Sequence, residues 1–199
     1  MKLLFRGCLS LAVSLGVVLG VISLPALAAL KEGDSAPAFE AQAALAGKEF
    51  KFSLKDALAK GPVVVYFYPS AYTAGCNIQA HTFSVNMEKF TAAGASVIGV
   101  SLDSVARLKD FSADPEYCAG KLPVASDPEG KIAKSYDLKI SSFPGAKDSR
   151  GVEIDHDFAE RTTFIVLPNG HINATIGGVS PQENVAKALE AVQKLAAKS

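Results

Sequence analysis

Cysteine is scarce in this 199-residue chain, and the three present are Cys8, Cys76 and Cys118. None forms a Cys-x-x-Cys pair, which argues against a thioredoxin-type disulfide reductase. Charge is never gathered in one place. Twenty Lys and Arg balance 20 Asp and Glu, with no run of one sign and no interleaved basic and aromatic residues, so nucleic acid is not an expected partner. Internal repeats, low-complexity segments and linkers are also missing, which leaves one domain. Long apolar runs are confined to the start. Leu9 to Leu24 is nearly all apolar, short of the ~20 residues a spanning helix needs. Lys2 and Arg6 precede it and Ala26-Leu27-Ala28 follows as a small-x-small cleavage signal. Residues 1–28 are therefore expected to be a secretory signal peptide, cut before Ala29. Cys8 precedes most of the run, where a lipoprotein cysteine would follow it, and is expected to be discarded. In a bacterium the destination is the periplasm, with no membrane attachment after cleavage.

The remaining residues, 29–199, suit a single domain with a sizeable core. With Lys2 and Arg6 gone, 18 basic side chains face 20 acidic ones. Two cysteines in an oxidising compartment suggest a disulfide. The organising stretch starts after Gly61-Pro62. Val63-Val64-Val65-Tyr66-Phe67-Tyr68 reads as a strand covered on both faces, and Pro69 stops it. A short loop leads to a helix of roughly five turns with Cys76 in its first turn and Gly94 as its stop. The first N–H groups of a helix have no partner within it, and the macrodipole adds partial positive charge there. Both favour a thiolate. Thr73 stands three residues before Cys76, where its hydroxyl can point at the sulfur or at an oxygen beside it. Pro69 shields the pocket floor without adding an N–H donor.

Around this stretch the chain alternates strands and helices. Short strands are expected at 50–52 and 122–125 and a longer one at 95–101. Helices are expected at 54–60 behind Ser53, from Asp103 or Ser104 to 113, and from Asp127-Pro128-Glu129 to Tyr136. A hairpin around Pro168-Asn169-Gly170 and a last helix behind Ser180-Pro181 close the chain. This is an α/β layered arrangement. The stretch from Lys139 to Asp148 reads as a loop, and Tyr66 and Tyr68 as packing.

Pro-x-x-x-Thr-x-x-Cys after an apolar strand resembles the active-site motif of peroxiredoxins. Tyr66-Phe67-Tyr68-Pro69 before it and Gln79-Ala80 after Cys76 resemble the bacterioferritin-comigratory, or PrxQ-type, branch. Gly33-Asp34-Ser35-Ala36-Pro37-Ala38-Phe39 is similar to the family's opening, Val97 to Ser101 to its next strand, and Pro123 to Asp127 to the segment before its next helix. Arg161-Thr162-Thr163-Phe164 is similar to a late strand bearing its arginine. The likeness covers most of residues 31–197, and several ordered motifs at compatible spacings carry it. It implies a thioredoxin-like fold of the peroxiredoxin type, a central mixed sheet flanked by helices.

The implied reaction is thiol-dependent reduction of hydrogen peroxide and organic hydroperoxides. Cys76 as the peroxidatic thiolate attacks the terminal oxygen and becomes a sulfenic acid. Arg161 would favour the thiolate and hold the peroxide oxygens. Gln79 would orient Arg161, with a solvated position on the helix as the open alternative, and Tyr72 would line the substrate entrance. Many members of this branch carry a resolving cysteine five residues after the first. His81 stands there in this chain, so Cys118 is the expected resolving residue, on the following helix as in some PrxQ-type proteins. The cysteine performs the chemistry, so no haem, flavin or metal is called for. The implied reductant is a thioredoxin-like protein, and the chain is expected to be a monomer or weak homodimer. Three alternatives stay open: a one-cysteine enzyme with an inert Cys118, a peroxide sensor, and a non-catalytic thioredoxin-fold module. The acidic, His-containing stretch Glu153 to Glu160 reads as a solvated loop in preference to a metal site.

Overall fold

In the computed structural model, which describes residues 28–198, the apolar run after Pro62 forms β3 (Val63–Phe67), with all five residues buried. Side chains alternate across a strand. Val64 and Tyr66, with Tyr68 just beyond, join the cluster on one face of the sheet, and Val63, Val65 and Phe67 join the cluster on the other. β3 sits inside a seven-stranded mixed sheet. Its parallel neighbour is β4 (Ser96–Ser101), which pairs in parallel with β5 (Val124–Ser126). Its antiparallel neighbour is β8 (Thr162–Val166), which continues into β9 (Ile172–Gly177). The hairpin β1 (Glu40–Leu45) and β2 (Lys48–Ser53) completes the far edge, with Ala43 and Ala44 facing β5. The expected α/β class with a mixed central sheet is what forms.

Helices cover both faces. On the Tyr66 side lie α2 (Ala74–Ala92), α3 (Val105–Ala113) and α5 (Pro181–Ala196), which meet the sheet through Ala80, Phe83, Leu108, Phe111, Val185 and Val192. On the other side lie α1 (Leu54–Leu58) and α4 (Lys131–Ser135), packed through Leu54, Leu58 and Ala133. Ser53, Ser104 and Ser180 each accept a backbone N–H at the start of their helices, the arrangement that Ser is selected for at an N-cap. None of these described helices is long and apolar enough to cross a membrane. The expected signal peptide lies, but for Ala28, outside the described residues.

One strand is unforeseen and two expectations are corrected. β1 had no prediction, because Glu-Ala-Gln-Ala-Ala-Leu has little intrinsic strand preference. It forms because its two small alanines, both fully buried, fit between β2 and β5, Ala44 on the α3 face of the sheet and Ala43 on the other. The helix expected from Asp127 begins at Lys131. Gly130 at φ +64° turns the chain, and a Cβ there would lie 2.5 Å from Ile140 Cδ1. Asp127 still caps that helix, its carboxylate accepting Ala133 N–H at 2.8 Å. Finally, the stretch 139–148 is not all loop. β6 (Ile140–Ser141) pairs with β7 (Phe158–Ala159), and Asp148 is buried.

Candidate active site

Cys76 is the third residue of α2, with Thr73 at the N-cap position. The first donor of the helical ladder is Asn77 N–H, to Thr73 O at 2.8 Å. The N–H groups of Ala74, Gly75 and Cys76 therefore point out of the helix start, where they favour negative charge. Cys76 is 2 % exposed, so a charge there is shielded from water and each donor acts more strongly than at a surface.

Arg161, immediately before β8, aims Nη2 at Cys76 Sγ from 3.4 Å. Its other terminal nitrogen, Nη1, donates to Gln79 Oε1. Gln79 is fully buried and not a solvated helix residue. Its Nε2 donates to Asn184 Oδ1 at 2.9 Å, Thr163 Oγ1 donates to the same oxygen at 2.6 Å, and Asn184 Nδ2 donates to Ile176 O at 3.0 Å. A chain of neutral groups, amides from α2 and α5 and a hydroxyl from β8, thus fixes the guanidinium without competing for its charge. Gly75 makes room for it: a Cβ at that position would stand 3.1 Å from Arg161 Nη2.

The loop between β3 and α2 holds the other expected residues. Thr73 Oγ1 donates to Ser70 O at 2.9 Å. Its proton is thus committed to the loop and its lone pairs are left to accept. Pro69 is half-buried at the strand end. Tyr72 departs from expectation. It is 3 % exposed, packed edge-on to Phe111 and Tyr117, and covered by the Arg150 guanidinium 3.2 Å from its ring centre. Burial pushes its phenol up to about 12. Its backbone is at φ +64°, an uncommon conformation for a side chain of this size. It anchors the loop in the core and does not line an entrance.

Cys118 is fully buried and, like Cys76, a free thiol. It was expected at a helix end, but α3 stops at Ala113 because Asp114 precedes Pro115 and is extended. Cys118 lies in the following turn, with Ala119 at φ +51° and Gly120 at φ +64°. Burial, reinforced by the Asp114 carboxylate, pushes its thiol up. His81 holds this turn to α2 through Nδ1 and Glu116 O at 2.9 Å.

The AhpC/TSA family model matches residues 33–175. The chain belongs to the AhpC/TSA family. A rice chloroplastic peroxiredoxin Q (Oryza sativa subsp. japonica) is 34% identical over 140 residues, 67% of this chain and 55% of that protein, so the chain spans about half the length of this relative. Among solved structures, peroxidoxin BcpB from Mycobacterium tuberculosis superposes with a TM-score of 0.69 at 26% identity, covering 83% of this chain and 98% of that one. The bacterioferritin comigratory protein of Xanthomonas campestris, described by its alkyl peroxide reduction activity, gives 0.61 at 28%, covering 78% and 91%. The AhpC/TSA assignment and the peroxiredoxin-type fold agree with the resemblance read from the motifs.

For an AhpC/TSA chain, several site-shaping residues escaped sequence reasoning. Asn184 and Thr163 complete the Gln79 chain, and Asp103, Arg107, Asp148, Ser149 and His156 surround the Ser70–Thr73 loop. Only Thr163 carried a local signal, from the Arg-Thr-Thr-Phe motif. His156 and Asp148 come from the stretches read as a solvated loop and a loop without purpose.

Proposed function

We propose that this chain is an exported thiol-dependent peroxidase that works through Cys76. The observation that carries the reading is the guanidinium 3.4 Å from a thiol at a helix N-terminus. In the first step the Cys76 thiolate attacks the terminal oxygen of the hydroperoxide. The O–O bond breaks, sulfur gains the oxygen as a sulfenic acid, and the departing alkoxide or hydroxide takes a proton and leaves as alcohol or water. Arg161 and the free N–H groups of the α2 start are placed to stabilise the charge moving onto the leaving oxygen. Alkyl peroxide reduction by the Xanthomonas relative supports organic hydroperoxides as substrates beside hydrogen peroxide.

In the second step the Cys118 thiol displaces the sulfenic oxygen as water and forms a Cys76–Cys118 disulfide. Cys118 is the one other cysteine of residues 29–199. It reaches Cys76 after the turn 114–121 detaches from α3 and the first turn of α2 unwinds. A thioredoxin-like dithiol then reduces the disulfide and is itself oxidised. Export rests on the charged start, apolar run and Ala26-Leu27-Ala28 site of the sequence.

Intact mass of residues 29–199 under non-reducing conditions, after one equivalent of hydrogen peroxide, tests this. The expected result is a monomer lighter by two hydrogens, abolished in both Cys76→Ser and Cys118→Ser. Oxygen added to Cys76 with Cys118 untouched would mean a one-cysteine mechanism. No change on Cys76 would remove the peroxidase reading altogether.

A further inference from the structure

Behind the Ser70–Thr73 loop lies a buried cluster of charged groups that the peroxide chemistry does not use. Its centre is Asp103, fully buried between β4 and α3. Oδ2 accepts Ala71 N–H at 2.8 Å and Ser101 Oγ at 2.7 Å. Oδ1 accepts Ser70 Oγ at 2.9 Å and lies 2.9 Å from both His156 Nε2 and Arg107 Nε. The Arg107 Nε–H is not aligned on it, so that contact is charge attraction alone. Arg107 Nη2 instead donates to Ala71 O at 3.0 Å and to Asp148 Oδ2 at 2.8 Å. From the other side Ser149 gives Tyr72 O two bonds, from N at 2.9 Å and Oγ at 2.7 Å. The peptide groups that lead into α2 are thus held by a brace whose members lie up to 86 positions apart.

His156 is the member whose charge can change. It is largely buried, with 10 % of its side chain exposed. Nε2 faces the Asp103 carboxylate at 2.9 Å, and Nδ1 faces Asp157 O at 2.8 Å. Both of these partners only accept, and Ser70 Oγ, 3.4 Å from Nε2, gives its proton to Asp103 Oδ1 at 2.9 Å. A neutral imidazole has one N–H, so one nitrogen would set a lone pair against an oxygen, whereas the imidazolium satisfies both. We propose that His156, as an imidazolium on Asp103, is a positioning residue for Cys76: it holds the Ser70–Thr73 loop, and through it the start of α2, in the geometry that meets the peroxide. This rests on the reading of Cys76 as the reacting thiol.

The surroundings set the direction of the pH response. Burial and the nearby Arg107 oppose the second proton. The bond and charge of Asp103 and the Asp157 carbonyl outweigh them and hold His156 above the ordinary histidine value. Across the adjoining cavity stand Glu129, Glu153, Asp155 and Asp157 against Lys134. The brace is therefore complete below the ordinary histidine pKa and is lost as pH rises through the raised one.

Two measurements test the proposal. Side-chain 15N NMR of the reduced protein at neutral pH is expected to show both His156 nitrogens protonated, and a single neutral tautomer would overturn it. The second is the single-turnover rate of Cys76 oxidation by hydrogen peroxide across neutral to alkaline pH, in the wild type and in His156→Gln. The wild-type rate is expected to fall once His156 deprotonates. The variant should lose that fall, react about tenfold more slowly at neutral pH, and exchange the amides of residues 70–73 faster while those of α5 are unchanged. A variant that keeps the wild-type profile and exchange would overturn the proposal. Failure of wild-type Cys76 to react with peroxide at any pH would sink the peroxidase reading itself, and the NMR and exchange readouts, which need no peroxide, then judge the brace alone.

Discussion

Cys76 and Cys118 belong to the same hydrophobic cluster and are almost equally buried, at 2 % and 0 % exposure. Their surroundings differ in kind. Cys76 sits where three helix N–H groups, a guanidinium and a chain of amides converge. Cys118 points from its turn into the hydrophobic core, where burial and the Asp114 carboxylate hold its proton on. Burial alone therefore does not set the chemistry of a thiol. Both thiols are shielded from water, and only Cys76 has a guanidinium and free helix N–H groups beside its sulfur. Under the proposed mechanism Cys76 reacts in the folded state and Cys118 follows once its turn opens, and Ala119 at φ +51° is the residue after it held in an uncommon backbone conformation.

The sharpest way to break this contrast is to remove the guanidinium. Arg161→Ala is expected to slow Cys76 oxidation about a hundredfold, the usual consequence of losing a donor aimed at developing charge. Arg161→Lys should recover only part of that, because an ammonium cannot bind sulfur and Gln79 together. Single-turnover kinetics with hydrogen peroxide checks both, and a wild-type rate in Arg161→Ala would erase the distinction between the two thiols.

A smaller effect comes from crowding the same group. Gly75→Ala places a methyl about 3.1 Å from Arg161 Nη2 and pushes it off the sulfur. Oxidation should slow about tenfold. Alanine also favours the helix by about 1 kcal/mol over glycine, so the melting temperature should hold or rise. Activity and stability moving in opposite directions would show that Gly75 serves the site and not the fold.

The smallest expected change is at the other cysteine. Cys118→Ser should leave the first oxidation of Cys76 within about twofold of wild type, since Cys118 makes none of the bonds that hold Arg161. Iodoacetamide labelling of the native wild type, mapped by peptide mass, should modify Cys118 slowly and only as its turn opens. Labelling of Cys118 as fast as in denaturant would refute its burial in the native turn.

Much of the site was legible because its signals are local. Thr73, Cys76 and the helix start lie within one turn of chain. Ser53, Ser104 and Ser180 mark helix starts by bonds spanning three residues. Tyr72 was misread because an aromatic near a reactive thiol looks the same in sequence whether it faces substrate or Phe111. The position of Gln79 was undecided for a similar reason: α2 has no clean apolar stripe, so its buried face had no periodic signature.

By itself the sequence determined the strand–loop–helix unit, the thiol at its N-terminus and the α/β class, since each follows from propensity, capping and patterning over a few residues. Only the tertiary structure decided what surrounds that thiol. Arg161 reaches Cys76 across 85 positions because β8 pairs with β3. Asn184 joins them because α5 packs on α2. His156 meets Asp103 because the chain from β6 to β7 folds back over the loop. Such partners are chosen by which strands pair and which helices cover them, and that is settled by burying one shared core.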